Sequence, residues 1–216
     1  MELFGVLVWG LALGLKHALE PDHVIAVSTI AGQSKSLWRS SLAGVFWGIG
    51  HASTLLLTGI LLIGLNVMLV GKWALSLEFA VGIMLVFLGS SSIVRFARGR
   101  GQAAQRPPQT ASIYRKSTLI GVVHGMAGSG ALVLLTMSTV KLWWEAVIYI
   151  AVFGAGTIGG MLVFSTLIGV PFALTRKSRK LSHALGIVSG GVSAVFGLYY
   201  MYNMGIKEGL FRMWLQ

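Results

Sequence analysis

The sequence predicts an all-α membrane protein of six transmembrane helices, built as a 3+3 inverted repeat with the first helix broken at Pro21. Three observations carry this expectation. Of the 216 residues, 55% are hydrophobic and 11% charged, with a mean hydropathy of +0.80. That is too apolar for a soluble domain and too short for more than roughly six or seven spans. Six apolar stretches alternate with short polar or basic ones. The two halves of the chain also resemble each other.

The net charge of +11 would suggest nucleic acid in a soluble protein. Here the Lys and Arg residues cluster between apolar stretches and read as topology signals, so no nucleic-acid partner is expected. The absence of cysteine excludes disulfides, thiolate ligands and iron–sulfur clusters. Met1-Glu2-Leu3-Phe4 lacks the basic region of a signal peptide and reads as the start of a retained first span.

Span 1 covers about Phe4 to Gly32, some 43 Å of helix if continuous, too long for one straight span unless broken or tilted. Span 2 runs from about Ser41 to Val70 and span 3 from about Leu75 to Val94. The stretch from Arg95 to Ser117, basic and containing Pro107-Pro108, is the one clear linker. It separates a first repeat (1–94) from a second (118–216). Span 4 runs from about Thr118 to Val140 and span 5 from about Trp144 to Ile168. After Pro171 comes the basic turn 176–180, then span 6 from about His183 to Met204 and a short amphipathic tail.

Loops after spans 1, 3 and 5 carry twelve Lys and Arg against four on the opposite side. The positive-inside rule then places a multi-pass protein in the cytoplasmic membrane, with both termini outside and the central linker in the cytoplasm. Gly14-x-x-His17 aligns on Gly121-x-x-His124, which pairs Asp22 with Ser129. Gly48-x-Gly50-His51 aligns on Gly154-x-Gly156-Thr157. Three spans per repeat is odd, so the second copy must be inverted, a common plan of secondary transporters.

The chemistry concentrates in His17-Ala-Leu-Glu-Pro-Asp-His23, which holds two imidazoles and the only aspartate of the chain. Titratable groups at membrane depth cost a few kcal/mol each on insertion scales and generally mark function. On a regular helix Asp22 and His23 would lie roughly 140° and 240° around the axis from His17 and could not converge. Pro21 lacks an N–H and clashes with the carbonyl of His17, so the helix should break and release that oxygen beside His17, Asp22 and His23. With His51 from mid-span 2, these form a plausible donor set for a borderline divalent ion. The plainer alternatives are a helix end at the interface and, for His51, an interhelical hydrogen bond. Glu20, Ser53, Thr54, His124, Ser129 and Thr157 are candidate supporting or pathway residues, with Thr157 and the His17 carbonyl as candidate extra ligands. His183 beside the basic turn reads as topogenic.

His17-x4-Asp22-His23 followed by Gly50-His51-Ala-Ser resembles the nickel/cobalt transporter (NiCoT/NicO-like) family, whose His-x4-Asp-His signature it matches in full. The short length and the phrases LKHALEPDHVIAVSTI, HGMAGSGAL and FGAGTIGGM are closest to its urease accessory protein H-like branch. Larger members carry an acidic Gly-Phe-(Asp/Glu)-Thr-Ala-Thr-Glu segment where this chain has Gly154-Ala-Gly-Thr157-Ile-Gly-Gly160, so their metal preference and coupling are not carried over. The resemblance implies uptake of Ni²⁺, or Co²⁺, through a mid-membrane His/Asp site, with no enzymatic activity and no resident cofactor. The partners are then the ion and the lipid bilayer, with homo-oligomerisation open. Two alternatives stand beside it: an intramembrane metal-dependent hydrolase, and an accessory protein for urease maturation that transports nothing.

Overall fold

The computed structural model describes residues 3–32, 36–65, 67, 71–98, 110–139 and 142–216. All regular structure among them is helical. Helix α1 (Leu3–His17) is followed, after a three-residue turn, by α2 (Pro21–Ala31). Then come α3 (Leu37–Gly64), α4 (Lys72–Ala97), α5 (Thr110–Thr139) and α6 (Trp143–Leu174). Helix α7 (Arg179–Tyr202) continues into a π turn (Asn203–Lys207), and α8 (Leu210–Leu215) closes the chain.

Four of the described helices are long and apolar enough to cross a membrane: α3, α4, α6 and α7 with its π extension; α1 is apolar but shorter. Large apolar side chains face outward, including Phe4 (77% exposed), Leu57 (69%) and Phe87 (68%), whereas His23, His51, His124 and Thr157 are buried. Such a polar interior under an apolar exterior suits lipid rather than water.

The first apolar stretch is broken where the sequence places the break. Pro21 opens α2, a position where its missing N–H costs no helical bond. Glu20 before it is extended (φ −59°, ψ 143°), because the proline ring disfavours the helical region for its predecessor. The His17 carbonyl, however, is not released. It accepts the N–H of Glu20 at 3.0 Å, as the Lys16 carbonyl accepts that of Leu19 at 2.9 Å. The chain tightens into short-range turns instead of leaving an oxygen bare, which meets the demand that buried backbone groups be paired.

Three element limits also differ from expectation. Helix α3 starts at Leu37 and ends at Gly64, several residues ahead of the 41–70 span. Of the 95–117 linker, Arg95–Ala97 complete α4 and Thr110–Ser117 form the first turns of α5, because a helix outlasts its apolar stretch; residues 99–109 lie outside those described. Helix α6 passes through Pro171 to Leu174. Near a helix end a proline removes only one bond, and Thr175 Oγ1 donates to the Pro171 carbonyl at 2.8 Å.

Glycines set the helix contacts. A Cβ on Gly14 of α1 would meet the Phe153 carbonyl of α6, and one on Gly156 of α6 would meet the Leu11 carbonyl of α1. The same close approach joins α3 to α5, where Gly121 faces the Trp47 carbonyl and Gly50 the Thr118 carbonyl. Helices α3 and α6 also pack together: Ser40 Oγ donates to the Ser165 carbonyl at 3.1 Å and Ser165 Oγ to that of Ser41 at 3.3 Å. Helices α4 and α7 meet at Gly89 and Gly190, and Ser193 Oγ donates to the Leu85 carbonyl at 2.9 Å. Small residues and hydroxyls are what close helix packing needs where no hydrophobic force drives association. They join α1 to α6, α3 to α5 and α6, and α4 to α7.

Candidate metal centre

Four imidazoles and one carboxylate converge beside the break. His17 is the last residue of α1, Asp22 and His23 lie in the first turn of α2, His51 comes from mid-α3 and His124 from α5. The His23 ring lies 4.6 Å from that of His17, 5.0 Å from His51 and 4.1 Å from His124, centre to centre. Trp47 stacks nearly parallel to His23 at 6.1 Å and fixes its plane. Asp22 sits where the helix dipole of α2 favours a negative charge.

The hydrogen bonds sort the donors. His23 Nδ1–H donates to Asp22 Oδ1 (3.1 Å) and His124 Nε2–H to Asp22 Oδ2 (2.7 Å). His17 Nδ1–H donates to Glu20 Oε2 (3.1 Å), while its Nε2 faces His51 Nε2 at 3.0 Å. Each carboxylate thereby holds one imidazole with Nδ1 protonated and the Nε2 lone pair turned away, the second-partner arrangement common around metal-binding histidines. His23 Nε2, His51 Nδ1 and His124 Nδ1 are buried with no hydrogen-bond partner. Unpaired buried nitrogens are costly. An ion taking their lone pairs would offset that cost.

Two groups have ligand atoms mutually within 4.8 Å: His17, His23 and His51, and separately Asp22, His23 and His124. Nitrogen and oxygen donors in this mixture suit zinc, nickel, cobalt or iron, and do not by themselves select one. A cavity of about 270 Å³ adjoins the centre, with His17, Glu20, Asp22, His23, Glu78 and His124 among its lining. Three of the six acidic residues of a chain with net charge +11 thus face one hollow, against one lysine, Lys16, a balance that favours a cation there.

The structure brings His17, Asp22, His23 and His51 near one another beside the break at Pro21, but in two groups rather than one. Glu20, half-exposed, pairs with His17. His124, expected only as a supporting residue, touches Asp22 directly. Thr157 is not turned to the centre: its Oγ1 donates to the carbonyls of Phe153 (3.0 Å) and Gly14 (3.3 Å), fastening α6 to α1. Thr54 Oγ1 bonds the Gly50 carbonyl within its own helix. Ser53 is exposed on the outer face of α3. The side chain of Ser129 lies outside those described. Glu78 and Tyr200 were missed: Tyr200 Oη donates to Glu78 Oε2 at 3.2 Å across α7 and α4, and both line the cavity. With span 3 expected from about Leu75, Glu78 reads as a residue near a span end; the helix in fact starts at Lys72, which sets this carboxylate nearly two turns inside.

Two outcomes follow from these positions. Ser53→Ala, on the outer surface, should leave Co²⁺ affinity of the purified protein within about twofold of the wild type, read by the visible absorption of the bound ion. Pro21→Ala restores an N–H and removes the ring clash, so α1 and α2 can merge and turn His17 from His51. It should weaken Co²⁺ binding by up to about tenfold, the lower end of the scale on which misplaced supports act.

Over 225 aligned residues the chain is 51% identical to the urease accessory protein UreH of Bacillus sp. (strain TB-90), covering 100% of this chain and 99% of that protein. No protein-family model matches it, and no solved structure does. An identity of this size over the whole length of both proteins makes the chain a member of the family of the urease accessory protein UreH.

Proposed function

We propose that this protein is a multi-pass membrane protein that takes a divalent transition-metal ion, Ni²⁺ or Co²⁺, through the bilayer by way of the broken first span, in the service of urease maturation. The observation that carries the reading is the buried centre itself: four imidazoles and Asp22 at a helix break, with three ring nitrogens lacking any partner. Nickel is favoured by the resemblance of His17-x4-Asp22-His23 to the nickel/cobalt transporter signature, since the donors alone would accept zinc or iron. The name of the UreH relative speaks for a urease connection.

Six spans in two inverted repeats are supported by how the helices pair. If α1–α2, α3 and α4 form one repeat and α5, α6 and α7 the other, exchanging the repeats maps the α1/α6 contact onto α3/α5, and maps α3/α6 and α4/α7 onto themselves. The aligned Gly14 and Gly121 sit at equivalent places in the exchanged contacts. In that plan both termini lie outside and the central linker in the cytoplasm. An inside-negative potential contributes about 4.6 kcal/mol per 100 mV to the inward passage of a doubly charged ion, so no nucleotide-driven pump is needed.

The test is accumulation of radioactive nickel by proteoliposomes under a potassium diffusion potential. Wild type should fill vesicles above the empty-vesicle level, and Asp22→Asn should not. If wild-type vesicles bind nickel but never accumulate it inside, transport is wrong. The second reading, an accessory protein that holds metal for urease maturation without moving it, would then take its place; the relative's name favours it.

A further inference from the structure

Resting on the metal-binding reading above, the geometry points to two alternative positions for a single ion that share His23: an outer one at Asp22, His23 and His124, all of which line the cavity, and an inner one at His17, His23 and His51, of which His51 lies behind the lining. The residues of the sequence signature do not surround one point. Asp22 turns both of its oxygens to His23 and His124, away from the facing nitrogens of His17 and His51. Each group of three nevertheless has its ligand atoms within 4.8 Å of one another.

The positions differ in access. Asp22, His23 and His124 all line the cavity, as do His17, Glu20 and Glu78, whereas His51 does not line it and is wholly buried, so only the inner position has a ligand behind the cavity wall. His23 belongs to both because its two nitrogens lie on different edges of the ring: Nδ1 meets Asp22, and Nε2 has no partner. A neutral imidazole offers one lone pair at a time, so His23 serves one position or the other. Asp22 correspondingly has two roles. It is a ligand when the ion sits on the cavity side. When the ion sits at the inner position, it orients His23 through Nδ1–H, as carboxylates do behind metal-bound histidines. His124, outside the sequence signature, becomes a ligand in its own right.

Double substitutions distinguish this from one large shell, because groups acting at one position are coupled and groups at separate positions are not. The full chain in detergent is titrated with Co²⁺, following visible absorption and affinity, for His51→Ala, His124→Ala, His17→Ala/His51→Ala and His51→Ala/His124→Ala, with glutamine versions guarding against misfolding. Two positions predict that each single variant still binds one ion within about tenfold of wild-type affinity, with two distinct spectra. The His17/His51 double should match His51→Ala, while the His51/His124 double should fall at least about 100-fold. If His124→Ala leaves both spectrum and affinity unchanged in the His51→Ala background, or if the two doubles weaken binding equally, the two-position inference is overturned while metal binding stands. A wild type that binds neither Co²⁺ nor Ni²⁺ overturns the metal-binding reading and this inference with it.

Discussion

His23→Ala is expected to abolish high-affinity Ni²⁺ binding, weakening it by at least about 100-fold in equilibrium dialysis of the purified protein, more than replacement of any other single donor. The reason is position. His23 is 1% exposed, its ring touches those of His17, His51 and His124, and it is the one residue present in both candidate ligand groups. Its loss also deprives Asp22 Oδ1 of a donor, which disorders the carboxylate that would otherwise compensate. His23→Asn keeps a polar group in the same space and separates the loss of a ligand from the loss of packing; it should bind as poorly as the alanine variant while melting closer to the wild type. Glu20→Gln, by contrast, removes a half-exposed support of His17, and its effect should stay within about tenfold.

Gly14→Ala should give a large loss of stability from a single methyl group. The added Cβ would press on the carbonyl oxygen and carbon of Phe153 and the N of Thr157, all backbone atoms of α6 that cannot move without parting the helices. Overpacking of this kind costs about 1–3 kcal/mol, sometimes more. Gly64→Ala is the matched control, because nothing lies within 4 Å of a Cβ there. Thermal unfolding in detergent should show Gly14→Ala melting well below wild type and Gly64→Ala close to it. Gly14 lies about one turn before His17, so separating α1 from α6 should also carry His17 from His51 and lower metal affinity. The stabilities of the two glycine variants thus report on the scaffold, and their metal affinities on how tightly it holds the centre.

The break in the first span was legible because proline chemistry is local: a missing N–H and a ring clash act within four residues. The convergence of His17, Asp22, His23 and His51 was legible for a related reason, since titratable groups at that depth have few other uses. What the sequence could not show is which groups share a point. Asp22 and His124 are 102 residues apart, and the lone alignment between halves marks His124 as the partner of His17, not of Asp22. The choice between Ser53 and Thr54 depends on the way α3 faces its neighbours; Thr54 turned inward and Ser53 outward. Thr157 aligns with His51 when the two halves of the sequence are compared, yet its hydroxyl serves packing because Gly14 lets α1 come within reach. The His17 carbonyl was expected free, but the turn after a broken helix found it a donor in Glu20. Glu78 was passed over because a span starting near Leu75 puts it at the span's end, whereas the helix begins at Lys72 and carries it inward.

X-ray absorption at the nickel edge of the full-length protein loaded with one equivalent of Ni²⁺ bears most directly on the account. The chain has no cysteine, and a centre at the helix break predicts nitrogen and oxygen scatterers only, with the outer-shell pattern of at least two imidazoles, diminished in His23→Ala. Nickel held without imidazole scattering, or a spectrum unaltered by the loss of His23, would contradict it.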